Sequence, residues 1–183
     1  MSNIIKKRKW TLFLDRDGVI NKKLDNDYVK NWNEFIFLNR SIEAISILTL
    51  LFTRILIVTN QRGVGKGLMT KEALNFIHEK MLGSIRKANG DIKKIYFATD
   101  INEESYHRKP NLGMAFQSKR DFPDIEFEKS VMVGDSQSDM AFGKKLNMFT
   151  VLITDSSTSK GVADIYFESL FDVAKYFANN IKG

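Results

Sequence analysis

The sequence predicts an α/β fold built on a doubly wound parallel sheet, and three observations predict it. Strand-like and helix-like segments alternate along the chain. The strand-like segments are near-continuous Val, Ile and Leu runs, as expected for strands buried on both faces. Polar side chains capable of chemistry fall at the carboxyl end of unit after unit, where open parallel sheets bind their ligands.

The elements follow in order. "TLFLD" (11–15) is a short apolar strand ending in a carboxylate. A long connection without a clear element, 21–38, comes next. "SIEAISILTLLF" (41–52) is apolar on most faces and predicts a well-buried helix, followed by the strand "RILIVTN" (54–60). The segment 70–90 is an amphipathic helix: Leu74, Ile77, Met81, Ile85 and Ala88 share a stripe. Thr70 can cap its start and Asn89-Gly90 can stop it. His78 is assigned off that stripe, to the surface. A third strand is expected at 92–99, a helix at 112–122, a strand at 130–135, a helix at 138–147 and a fifth strand at 148–154. "ADIYF" (163–167) predicts an edge strand and 170–181 a closing helix. The whole is Rossmann-like, one domain over 1–183 with a basic leader at 1–9.

Composition narrows the classes. With 183 residues the chain can bury a substantial core, and 43% apolar with 27% charged residues is ordinary for a globular domain. There is no cysteine, which excludes disulfides, thiolate nucleophiles and Cys-based zinc sites. No apolar run approaches the roughly 18 residues of a membrane span, and the N-terminus lacks a signal-peptide core. The expectation is a cytoplasmic monomer without a membrane partner. Net charge is +6, of which Lys6, Lys7, Arg8 and Lys9 supply +4, leaving about +2 spread over the rest. Without interleaved aromatics or a basic stripe, nucleic acid is not the expected partner.

The strand ends carry the functional argument. Asp15 and Asp17 follow the first strand, Thr59 and Asn60 end the second, Lys109 precedes the helix after the third, and Asp135 ends the fourth with Asp139 a turn later. Carboxylates brought together repel unless a cation lies among them. Hard oxygen donors with no His or Cys favour Mg²⁺. A lysine and a hydroxyl beside that ion suit a phosphoryl group, and one carboxylate can act as nucleophile while another moves the proton. "GVGKG" (63–67) matches neither nucleotide-loop pattern: no Ser or Thr follows Lys66, and Leu68 stands where a last Gly is required. Trp32 and Tyr28 stand out because the 21–38 connection borders the expected site.

"FLDRDGVIN", "IVTNQ", "RKP" and "VGDSQSD", in that order over roughly residues 10–155, resemble the four motifs of the haloacid dehalogenase superfamily of phosphatases. "DRDGVIN", "DYVKNWNEFIFL", "TNQRGVGKG" and "RKPNLGM" are most similar to the heptose 1,7-bisphosphate 7-phosphatases and the related histidinol-phosphate phosphatases. The resemblance implies an Mg²⁺-dependent phosphomonoesterase with an aspartyl-phosphate intermediate, acting on a small phosphorylated metabolite such as a sugar bisphosphate. It implies Asp15 as nucleophile and Asp17 as acid/base. Asp15, Asp135 and the Asp17 carbonyl would be the metal ligands. Thr59 and Lys109 would hold phosphoryl oxygens. Tyr28, Asn60, Gln61, Arg62 and Arg108 would face the substrate, and Asp139 would orient the last motif rather than ligate.

Three departures from the subgroup bear on substrate. The stretch before Arg108, "FATDINEESYH", lacks the three cysteines of the subgroup's zinc loop, so no structural zinc is expected. Ser136 stands where a Lys is common, and Leu112 replaces the second proline of the third motif. Neither gap between motifs has room for a cap domain, which implies an uncapped enzyme with a short flap after the first strand. Histidinol phosphate and a polynucleotide 3′-phosphate stay open as alternative substrates.

Overall fold

The computed structural model describes residues 8–154 and 161–180. The first seven residues of the basic leader and Ile181 of the expected closing helix lie outside them. Strand β1 (Arg8–Leu14) leads to helix α1 (Ser41–Leu51) and strand β2 (Phe52–Asn60). A four-residue helix α2 (Arg62–Gly65) precedes the long α3 (Lys71–Lys87) and strand β3 (Lys94–Ala98). Then come α4 (Gly113–Asp121), β4 (Ser130–Gly134), α5 (Gln137–Lys144), β5 (Phe149–Ile153), β6 (Ile165–Phe167) and α6 (Leu170–Asn180).

The six strands form one sheet in the order β3-β2-β1-β4-β5-β6, every pairing parallel. Successive side chains of a strand point to opposite faces, and the core divides accordingly. Leu12, Leu14, Ile55, Ile57, Val131 and Val133 pack with α1, α3 and α6 on one face. Phe13, Leu56, Val58 and Met132 pack with Met114, Ala115 and Phe142 of α4 and α5 on the other. Both faces of the central strands are therefore buried, as their unbroken apolar runs require. The chain builds β1, β2 and β3 outward, then returns to lay β4 on the other side of β1. The crevice at that reversal lies beyond the carboxyl ends of β1, β2 and β4.

Two details depart from expectation. Phe52 begins β2 instead of ending α1, because β1 starts at Arg8 and pairs with it across the sheet. His78 is buried, only 5% exposed. At 3.6 residues per turn, position 78 lies in line with Leu74, Met81 and Ile85, so the surface assignment fails on helical geometry. Thr70 does cap α3, its hydroxyl accepting from the Ala73 N–H.

The 21–38 connection is a pinned flap. Asn21 bridges to both Asp17 and Phe37, Lys22 N donates to Ile36 O, and Leu38 N donates to Ile20 O. Trp32 stacks on Phe35 at 5.0 Å, and Phe35 meets Phe37 edge-on. Trp32 is thus part of the flap's own aromatic cluster.

Candidate active site

Asp15 directly continues β1, its N–H donating to Val133 O of β4 at 2.9 Å. This bond fixes the carboxylate at the seam between two central strands. The chain then turns sharply: the Arg16 carbonyl accepts from the N–H groups of Val19, Ile20 and Asn21. Gly18 has φ +83°, and a Cβ there would stand 2.3 Å from Asp135 Oδ2. A side chain at 18 would meet both a backbone penalty and a carboxylate.

Asp17 is held by three donors. Arg16 Nη2 (2.7 Å) and Asn21 Nδ2 (2.8 Å) reach Oδ1, and Gln61 Nε2 (2.8 Å) reaches Oδ2. Burial works to raise the Asp17 carboxyl, but the Arg16 charge and these donors outweigh it and hold the group below the usual carboxylate range.

Lys109 is the cationic centre. Its Nζ lies 3.0 Å from Asp15 Oδ1 and 2.5 Å from Asp139 Oδ1, and donates to Val58 O at 2.7 Å. Burial opposes its charge, yet Asp139 and Asp15 prevail and push it up to about 12. Asn60 grips its backbone from both sides: Nδ2 donates to Lys109 O (3.1 Å) and Oδ1 accepts from Lys109 N (2.9 Å).

Asp135 follows β4. Its Oδ2 accepts from Lys23 Nζ of the flap at 2.7 Å, while Oδ1 is buried with no hydrogen-bond partner. Ser136 and Asp139 form a reciprocal cap at the start of α5, Asp139 Oδ2 accepting from the Ser136 N–H and hydroxyl. Asp139 is committed to that cap and to Lys109. A Cβ on Gly134 would fall 2.2 Å from Asp139 Cβ, so only glycine lets the loop close on the strand end.

Carboxylate oxygens of Asp15, Asp135 and Asp139 lie within 4.8 Å of one another. Burial, with Asp139, Asp135 and Asp17 adding to it against Lys109, pushes Asp15 up to about 7. Burial also raises Asp135 despite Lys23. Carboxyls with raised proton affinity and an unpartnered buried oxygen call for a cation. The donors are hard oxygens without nitrogen or sulfur, which fits Mg²⁺. The Asp17 carboxylate is spent on its three donors and is not among the clustered oxygens.

The cleft above these groups, about 250 Å³, is lined by Asp15, Asp17, Lys109 and Asp135, with Tyr28, Arg62 and Arg108 on its walls. Tyr28 packs over Gly63, and Lys66 Nζ sits 5.3 Å from the Tyr28 ring centroid. Arg108 is pinned by the Ile101 carbonyl and by Glu103 at 2.9 Å. Arg62 Nε has no hydrogen-bond partner. Thr59 is buried below the cleft, its hydroxyl accepting from Gln61 Nε2 at 2.9 Å. Asn60 and Gln61 line the cleft too, but their amides are spent on Lys109, Asp17 and Thr59, as buried polar groups at a strand end require.

Lys23, Arg16 and His78 have no place in the sequence-derived site. Lys23 gives no local signal, since its partner is 112 positions away. The stripe position of His78 is the one clue the sequence holds.

A family model described as "Polynucleotide kinase 3 phosphatase" matches residues 11–176. The chain is 35% identical to a D-glycero-alpha-D-manno-heptose-1,7-bisphosphate 7-phosphatase of Mycobacterium bovis, over 91% of this chain and 90% of the relative. It is 32% identical to the corresponding beta-anomer enzyme of Vibrio cholerae, over 92% and 96%. Among solved structures, the D,D-heptose 1,7-bisphosphate phosphatase of B. bronchiseptica, complexed with magnesium and phosphate, superposes with a TM-score of 0.81 at 28% identity. That match covers 92% of this chain and 98% of the other.

Proposed function

The chain belongs to the haloacid dehalogenase superfamily of phosphatases, in the family of the heptose-1,7-bisphosphate 7-phosphatases, and from that premise we propose that it removes the C7 phosphate of D-glycero-D-manno-heptose 1,7-bisphosphate. The observation that carries the reading is the convergence of Asp15, Asp17, Lys109 and Asp135 on one cleft with Arg62 and Arg108 on its wall. Two arginines beside the reacting groups suit a substrate that keeps a second phosphate.

In this reading Asp15 attacks phosphorus in line, forming the Asp–O–P bond as the P–O bond to the sugar breaks. Asp17 gives its proton to the departing oxygen. It then takes one from the water that attacks the aspartyl-phosphate, releasing phosphate and restoring Asp15. The donors around Asp17 favour its ionised form, which suits the second half. The nearby phosphoryl dianion raises its proton affinity for the first half. Lys109 neutralises phosphoryl oxygens and holds Asp15 in line. Asp15, Asp135 and the Asp17 carbonyl would hold Mg²⁺, which would supply further neutralisation of the phosphoryl charge.

A phosphate-release panel tests the substrate: both heptose bisphosphate anomers, histidinol phosphate and a 3′-phosphorylated oligonucleotide, each with Mg²⁺. The heptose bisphosphates are expected to give the highest kcat/KM. The family model's description favours the oligonucleotide as second reading, and preference for it overturns the first. Asp15→Asn is expected to lower turnover at least about 10³-fold on every active substrate.

A further inference from the structure

We propose that His78 is a positioning residue for proton transfer: through Arg16 it holds the Asp17 carboxylate in one orientation, although it touches no reacting atom. The proposal rests on the reading above that Asp17 moves the proton.

Arg16 is fully buried although it lies between the two site aspartates. Among the described residues its guanidinium meets two side-chain acceptors. Nη2 donates to Asp17 Oδ1 at 2.7 Å, and Nη1 lies 3.3 Å from His78 Nε2. The Phe35 ring centroid lies 5.8 Å from the guanidinium carbon. A guanidinium has no acceptor atom, so Nε2 of His78 must accept and the ring proton sits on Nδ1. Burial, assisted by the Arg16 charge, drives His78 down to about 3. The imidazole is therefore neutral, and an acceptor, across the working range.

His78 is itself firmly placed. It stands on the inner stripe of the 17-residue α3, with the Phe97 ring of β3 5.7 Å away, tilted edge to face. An apolar residue would fill that stripe without a desolvation cost. Imidazole there is explained by what it does for Arg16: without an acceptor, one end of a buried guanidinium is unsatisfied and its plane is free to rotate. Rotation would carry Nη2 away from Asp17. Asn21 and Gln61 would remain, one on each oxygen, and two single donors define the carboxylate plane less sharply than three. The brace thus runs from a rigid helix through a buried cation to the proton-transfer group. Acid–base geometry is sensitive to sub-ångström placement.

The test uses the full chain with Mg²⁺ and two esters: heptose 1,7-bisphosphate, whose alkoxide needs a proton to leave, and p-nitrophenyl phosphate, whose phenolate does not. The quantity is kcat/KM, which covers the steps through loss of the alcohol. His78→Leu is expected to lower kcat/KM for the sugar ester about 10- to 100-fold and for the aryl ester less than about threefold. His78→Gln, which keeps an acceptor within reach of Arg16, is expected to recover most of the loss. If the leucine variant does not fold, His78→Asn, too short to reach Arg16, carries the same expectation. Equal losses on both esters, or none on either, overturn the proposal. Asp17→Asn separates the two levels. If it shows the split between esters and His78→Leu does not, the brace alone is refuted. If Asp17→Asn treats both esters alike, the reading of Asp17 falls and the proposal with it.

Discussion

Lys109 places one ammonium between Asp15 and Asp139 in a setting closed to solvent. Each charge there has lost its hydration, and only mutual attraction offsets that loss. Lys23 answers the same excess of carboxylate differently. It reaches in from the flap with a side chain half exposed to water and pairs with Asp135. Lys23 therefore competes for an oxygen that an Mg²⁺ ion would use. An exposed pair of this kind is worth about 0.2–1 kcal/mol. Lys23→Met is expected to bind Mg²⁺ up to about fivefold more tightly, measured by titration calorimetry on metal-free protein; weaker binding would show that Lys23 assists the ion. Asp15, Asp17 and Asp135 could be picked out in the sequence because each stands at or just past the end of an apolar run, where a charge is conspicuous, and Lys109 because it sits in the RKP motif ahead of the helix that follows β3. Lys23 could not, because nothing local marks its partner. His78 was hidden by a hydropathy reading that places polar residues outside, though its spacing from Leu74 and Met81 set it on the buried stripe.

At the scale of elements, the apolar runs marked every strand, and the stripe and caps marked α3. The four-residue α2 left no such trace. "RGVG" contains two poor helix formers, and contacts made far away in sequence shape it: Gly63 lies under Tyr28, and a Cβ on Gly65 would fall 2.1 Å from Thr99 O. Likewise, no local rule says that the end of β2 grips the segment entering α4. Asn60 does so through the Lys109 backbone. Asn60→Ala leaves a buried N–H and a C=O without partners, which costs about 1–3 kcal/mol. The expected outcome is a matching fall in the denaturant midpoint. Turnover of every ester should fall, because Lys109 loses its register against Asp15. An unchanged midpoint would show that the grip contributes nothing.

For the molecule as a whole, the buried carboxylates couple stability to pH and to metal. The Asp15 carboxyl, pushed up to about 7 from 3.8 without an ion, binds its proton more tightly folded than unfolded. Its contribution to stability is fully present below about 3.8 and is lost as pH rises through 7. Ion binding needs the ionised carboxylates and reverses the trend. At about 100 times its Kd, Mg²⁺ adds about 2.7 kcal/mol, or roughly 5–10 °C in Tm for a chain of this size. That gain, read by thermal unfolding with Mg²⁺ against chelator, is expected to be large near pH 7.5 and to shrink near pH 5. The sheet order has a different consequence. The side chains proposed to react spring from the ends of β1 and β4 and the segment entering α4, while the walls are lent by the flap, α2 and the 99–108 loop. Chemistry and selectivity are therefore inherited on separate stretches of chain. A lineage, or an engineer transplanting loops, can change the alcohol accepted while leaving the hydrolytic apparatus as it stands.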